Sequence, residues 1–281
     1  MVIDAHQHFW RFNPVRDAWI DEDMAAIRRD FLPGDFAPVL DACGVDATIA
    51  VQADQSEAET EFLLGLAEGN RRIAGVVGWV DLRSTQIESQ LEHFSKFKKL
   101  RGVRHVAQAE PDDRFLVRPD FVRGVGSLKK FNLTYDILIY PQQLSAAIEL
   151  VTKLPEQKFV VDHLAKPEIA AKKIEPWADL MREIAAHPNV FCKLSGMVTE
   201  ADWRNWKLED FKPYLDVVFD AFGVERLMFG SDWPVCLVAA TYSQTKNVVE
   251  SYVDRHMPSA KPAIFGENVK RFYGVESATS A

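Results

Sequence analysis

Cysteine is scarce in this chain: Cys43, Cys192 and Cys236 are the only three among 281 residues, with no Cys-x-x-Cys spacing. An odd number of scattered thiols excludes a disulfide framework and points to reduced cysteines in a cytoplasmic protein. Long apolar runs are missing as well. No stretch reaches the roughly 20 residues needed to span a bilayer. Asp4 interrupts the opening apolar residues before a secretion signal can form, so no membrane partner is expected. Positive charge is in deficit, 33 Lys and Arg against 41 Asp and Glu, for a formal net charge of −8. That balance argues against a nucleic-acid partner, which calls for a basic face. It leaves an anionic substrate open, because local charge can oppose the net. No Gly-x-Gly-x-x-Gly follows any apolar run, which removes the main support for a dinucleotide site. Nothing in the sequence specifies an oligomeric state.

What the chain does have is core-forming material, 47% hydrophobic residues, arranged in a repeating order. Short, nearly continuous apolar runs at 2–8, 46–53, 73–80, 100–106, 133–140, 158–163, 190–195 and 226–232 read as strands. Between them lie stretches with apolar residues at helical spacing, such as Phe62, Leu63, Leu66 and Ala67 within 57–71, or Ile87, Leu91 and Phe94 within 84–98. Ser84 is placed to cap the latter. Further helices are expected at 36–43, 119–131, 142–153, 176–187, 209–222, 241–255 and 261–273. Apolar strands alternating with amphipathic helices mean a parallel sheet covered on both faces. With eight strands and no linker or low-complexity segment, the simplest architecture is one α/β domain over 1–281, a (β/α)8 TIM-like barrel.

In such a barrel the chemistry gathers at the C-terminal ends of the strands. There the sequence places His6 and His8, Gln52 and Asp54, Trp79 and Asp81, Arg104 and His105, Asp136 and Tyr140, Asp162, His163 and Lys166, Lys193 and Ser195, and Ser231, Asp232 and Trp233. On a strand, residues two apart share a face, so His6 and His8 converge on one point, as a metal grip or an oxygen-polarising pair does. His93, His187 and His256 fall in or at the ends of helices and read as exposed or capping residues. Asp232 follows Leu-Met-Phe-Gly-Ser, where a carboxylate is costly unless it is paired or used. Cys192 and Cys236 read as packing residues. The segment after the first strand, with Phe9, Trp10, Phe12, Pro14 and Trp19, suits either a substrate-covering loop or a hydrophobic plug at the barrel end.

Five spaced motifs together resemble the amidohydrolase superfamily, in its branch of sugar-lactone and dicarboxylate-lactone hydrolases. They are Ile-Asp-Ala-His-Gln-His-Phe-Trp from Ile3, Gly-Val-Arg-His from Gly102, Val-Val-Asp-His-Leu-Ala-Lys-Pro from Val160, Cys-Lys-Leu-Ser-Gly from Cys192 and Met-Phe-Gly-Ser-Asp-Trp-Pro from Met228. The pattern looks most like lactonases of the L-fucono and L-rhamnono type. By position, His6 and His8 match the first-strand pair, His163 the sixth-strand histidine and Asp232 the eighth-strand aspartate. The chain departs from the binuclear members, which carry a bridging lysine on strand four and a histidine on strand five. Here strand four ends Arg104-His105 and strand five has no histidine. The resemblance therefore implies one divalent ion, such as zinc, held by His6, His8, His163 and Asp232, or a metal-free site.

The expected activity is hydrolysis of a sugar-acid lactone: L-fucono-1,5-lactone or a related L-rhamnono or L-galactono lactone. Asp232 would act as general base on water, with the carbonyl polarised by His6, His8 and His163, and His105 next in line. Arg104, His105, Lys193 and Trp10 are the candidate substrate contacts. Because neighbouring strand residues face opposite ways, Arg104 and His105 cannot both point inward; the reading favoured is His105 inward and Arg104 toward the helices. Two rival readings share the barrel: a zinc-dependent decarboxylase of the same superfamily and a non-catalytic sugar-acid binder.

Overall fold

Eight apolar runs become eight parallel strands, neighbours in space in the order in which the chain makes them. In the computed structural model, which describes residues 1–275, they are β1 (Ile3–Gln7), β2 (Ala47–Val51), β3 (Ile73–Gly78), β4 (Leu100–His105), β5 (Thr134–Ile137), β6 (Phe159–Val161), β7 (Val190–Leu194) and β8 (Leu227–Phe229). The remaining positions of the expected 1–281 domain, 276–281, lie outside the described residues. The ring closes at the β8–β1 seam, where Asp232 N donates to His6 O at 2.8 Å and His8 N donates to Trp233 O at 2.7 Å. The architecture is a (β/α)8 barrel. Among the described residues no helix is long and apolar enough to cross a membrane.

Two apolar regions hold the barrel. The larger lies between strands and helices, from Val76, Val103 and Phe159 on the strands to Leu63, Leu91, Phe121 and Val249 on the helices. The smaller fills the N-terminal end of the barrel with Ile3, Ile49, Val51, Val77, Val160 and Met228. Helix Asn268–Tyr273 closes that end with Val269, Phe272 and Tyr273. Each large side chain buried this way stabilises the fold by ~1.5–3 kcal/mol.

Some elements are shorter than their patterns predict. The helix expected over 84–98 is Ile87–Phe94, because the Ser84 hydroxyl caps a turn at Gln86 instead of the helix. The last helical stretch opens with a π-helical turn at Ala263–Glu267, where the backbone passes so close that a Cβ on Gly266 would lie 2.2 Å from the Met1 carbonyl. A departure in β1 matters for function. Relative to β2, β1 holds one extra residue between Asp4 and Gln7. This bulge breaks the alternation. Asp4 faces the helices, accepting from Ser231 N at 2.9 Å and Tyr242 Oη at 3.1 Å, while His6 and His8 face the barrel axis.

Candidate active site

Above its apolar floor the barrel interior becomes charged. Asp136 follows Tyr135 on β5, Asp162 follows β6 and Lys193 lies on β7; all have no exposed surface. Lys193 Nζ donates to Asp136 Oδ2 at 2.5 Å, pairs with Asp162 Oδ1 at 2.9 Å and reaches His6 Nδ1 at 3.1 Å. Tyr273, on the closing helix, donates its hydroxyl to Asp136 at 2.7 Å. Arg104 projects inward from β4, with Nη1 3.2 Å from Asp162 Oδ2 and 3.3 Å from His6 Nε2, and Nη2 donating to the Gln52 carbonyl. Burial works to raise both carboxyls. For Asp162 the charges of Lys193 and Arg104, with the His6 ring beside it, outweigh it and hold the group well below the usual range. Asp136 has Lys193 alone as its cation and a like charge beside it at Asp162, and its pKa rises to about 6.

The four residues expected at the centre come together above this charged tier. His6 Nε2 lies 3.2 Å from His8 Nε2 and 3.8 Å from Asp232 Oδ1; His8 and His163 present Nε2 to the same oxygen at 3.2 and 3.9 Å. Each imidazole is held by its other nitrogen. His8 Nδ1 donates to the Val51 carbonyl at 2.8 Å, His163 Nδ1 meets the Ser195 hydroxyl at 2.8 Å, and His6 Nδ1 lies between Lys193 and Asp162. Burial pushes His6 and His163 well below the ordinary imidazole pKa, so both are neutral at pH 7. Burial also works to raise Asp232, but His163, His8 and Lys166 prevail and the carboxyl sits below its ordinary value, ionised.

Unusual backbone aims these groups. From His163 the chain runs left-handed through Leu164, Ala165 and Lys166, with φ of 54°, 53°, 55° and 52°. This is why β6 stops at Val161, short of the expected 163. Outside glycine such a conformation costs roughly 1–2 kcal/mol per residue, so the run needs support. Trp177 Nε1 donates to Leu164 O and Lys166 N donates to His163 O, each at 2.7 Å. Gly196 lies flat on the His163 ring, where a Cβ would come within 2.6 Å of Cγ. Asp232 is also left-handed, at φ 57°, and Gly230 lets β8 approach β1, its missing Cβ being 2.7 Å from that of His6.

The cluster opens into a cavity of about 320 Å³ whose walls include His8, Arg104, His163, Asp232, Trp10 and Lys166. The aromatic segment divides its labour. Phe9, Phe31, Phe36 and Trp233 pack on one another as a plug, while Trp10, pinned by Nε1 to Arg29 O at 2.9 Å, and Trp19 line the cavity.

Two sequence expectations are corrected. Arg104, not His105, faces the interior: β4 pairs regularly with β5, and Arg104 opposite Asp136 shares its inward face. His105 lies among the helices, stacked on Phe115 at 4.8 Å and bonded to Glu110 at 2.7 Å, away from the cavity. Lys193 is inward but sealed beneath His6, too deep to meet a substrate. Gln55 and Gln108 on the cavity wall carry no sequence signal, and Asp54 and Lys166, placed at strand ends from the sequence, line the same wall without having been expected as substrate contacts.

The donor set fits one metal ion. A tetrahedral zinc with bonds of ~2.05 Å has ligand atoms about 3.3 Å apart, and His6, His8 and Asp232 offer ligand atoms within 4.8 Å of one another, at 3.2, 3.2 and 3.8 Å, with His163 Nε2 beside them at 3.9 Å from Asp232. Imidazole with carboxylate is a zinc-type donor set, and anchoring through Nδ1 leaves each Nε2 lone pair toward the centre. The geometry does not extend to a second ion: the other group of ligand atoms within 4.8 Å, His6, Asp162 and His163, shares His6 with the first, its Asp162 is already paired with Lys193 and Arg104, and Asp136 is paired with Lys193.

Comparison with known proteins identifies the family. Residues 3–275 match the family described as amidohydrolase. The chain is 41% identical to an L-fucono-1,5-lactonase of Burkholderia multivorans (strain ATCC 17616 / 249), over 99% of this chain and 98% of that one. It is 38% identical to an L-fucono-1,5-lactonase of Burkholderia ambifaria, over 98% and 96%. A crystal structure of an amidohydrolase from Burkholderia multivorans with bound zinc superposes with a TM-score of 0.95 at 40% identity, covering 98% of this chain and all of that one. The protein belongs to the amidohydrolase family.

Proposed function

We propose that the protein is a lactonase that opens a sugar-acid lactone, L-fucono-1,5-lactone or a close stereochemical relative. The observation that carries the reading is the meeting of one ionised carboxylate, Asp232, with three anchored imidazoles at the mouth of the barrel. The full-length similarity to two L-fucono-1,5-lactonases supports the substrate class.

A lactone is an ester whose carbonyl carbon must accept water. Asp232 holds the water and takes its proton as the oxygen attacks. The carbonyl π electrons move to oxygen, and the resulting oxyanion is met by hydrogen-bond donors of the cavity wall. Collapse of the tetrahedral centre breaks the ring C–O bond, and Asp232 returns its proton to the departing alkoxide. The products are a hydroxyl and a carboxylic acid, which ionises at neutral pH. Three side chains, His6, His8 and Asp232, with His163 in reach, would hold one zinc-like ion. When bound, such an ion supplies Lewis-acid polarisation of the carbonyl. The buried charged tier keeps His6 from rotating, and the Trp10 wall limits water around the reacting atoms.

The test is a panel of L-fucono, L-rhamnono and L-galactono lactones followed with a pH indicator, with gas analysis alongside. Proton release without carbon dioxide is the expected result. Carbon dioxide release from a carboxylic acid would favour a decarboxylase, and lactone binding without acidification a non-catalytic binder.

A further inference from the structure

Three cations line the cavity: Arg16, Arg104 and Lys166. Two are already engaged. Arg16 grips Asp17, with Nε 2.7 Å and Nη2 2.8 Å from its oxygens. Arg104 is bonded to Asp162 and Gln52. Lys166 differs. Among the described residues its Nζ has a long ion contact to Glu200 at 3.5 Å and stands 5.3 Å from the Tyr140 ring centre. An ammonium has three donors, and neither contact saturates them.

Its backbone sets it apart too. Among the described residues, the non-glycine residues with positive φ are Asn132, His163, Leu164, Ala165, Lys166, Lys172 and Asp232. Of these, His163, Lys166 and Asp232 line the cavity. A turn needed only for chain reversal would be easier with glycine or asparagine at 166. Strain of this kind collects at working sites.

The reaction creates a need for such a group. The lactone is neutral and its product is an anion, released beside ionised Asp232. We propose that Lys166 receives the negative charge that develops on the former carbonyl, binding the tetrahedral oxyanion and then the product carboxylate. This rests on the lactonase reading above.

The experiment compares the parent with Lys166→Met, Lys166→Arg and Glu200→Gln. It measures kcat and KM for the lactone, and affinity for the open-chain sugar acid by calorimetry, which needs no turnover. In Lys166→Met, product affinity and kcat should each fall by at least about tenfold, the low end for a hydrogen bond to a charged group. KM for the neutral lactone should stay within about threefold, since the ground state carries no matching charge. Lys166→Arg should recover most of the loss, and Glu200→Gln should bind the acid at least as tightly as the parent. Unchanged product affinity in a folded Lys166→Met protein would overturn the inference. So would an equal loss in Glu200→Gln, which would make the ion pair, not the lysine, responsible. If the parent opens no lactone, the functional reading itself fails, and this inference with it.

Discussion

Replacing Lys193 by methionine tests the account of the barrel interior directly. One ammonium, with no exposed surface, serves Asp136 at 2.5 Å, Asp162 at 2.9 Å and His6 at 3.1 Å. Methionine fills similar space but leaves two carboxylates facing each other in a dry interior. Removing one partner of a buried ion pair costs about 3–5 kcal/mol, a large part of the ~5–15 kcal/mol that holds a typical domain. The loss should depend on pH with a definite sign. Asp136 is raised from 3.8 to about 6 even with Lys193 present. The folded state therefore holds more protons than the unfolded one in that window, and the contribution of Asp136, complete below 3.8, is lost as pH rises through 6. Without the ammonium the folded pKa rises further, so the deficit should widen between pH 5 and pH 8, by up to ~1.4 kcal/mol per pH unit for each proton held. Urea unfolding followed by tryptophan fluorescence at both pH values reads this out. Lys193→Met with Asp136→Asn should recover part of the loss. A penalty below ~1 kcal/mol at pH 8 would refute the reasoning, as would a stable variant whose only defect is a raised lactone KM.

The other predictions follow from the same geometry. Asp232→Asn should lower lactone turnover by at least ~100-fold with little change in melting temperature; near-normal turnover in a steady-state assay would remove the carboxylate from its role as base. Elemental analysis of zinc-loaded protein should find no more than about one ion per chain, and two would contradict the assignment of Asp136 and Arg104 to the charged tier. Glu59, buried near Asp17 and Asp54 and accepting from Ala53 N, is raised from 4.5 to about 7, chiefly by burial, with Arg16 opposing. Ionising it costs the fold stability as pH rises from 4.5 through 7, so Glu59→Gln should stabilise by ~2–3 kcal/mol at pH 8 and be neutral at pH 4. Equal effects at both pH values, by thermal unfolding, would rule this out.

The meeting of His6, His8, His163 and Asp232 was legible because strand ends can be read from apolar runs, and barrel topology puts strand ends together. Their grip on each other was less so. His6 and His8 sit two apart on one strand, but the bulge that turns them inward while sending Asp4 outward leaves no local mark in the sequence. Arg104 and His105 show the same limit. Alternation says that one is in and the other out, while the register between β4 and β5 decides which. A residue next to both an acid and an aromatic cluster suits either side.

The sequence by itself determined the alternation of strands and helices, the closed barrel and the identity of the central histidines and aspartate, because hydrophobic period and residue type are local properties. Only the tertiary structure decided that Lys193 supports and Arg104 faces the cavity, and that a left-handed turn at His163 brings Lys166 to the same wall. Those outcomes depend on register, on a bulge and on Gly196 and Gly230 admitting neighbours too close for a side chain. Each is a relation between segments distant in the chain, settled when the strands pack.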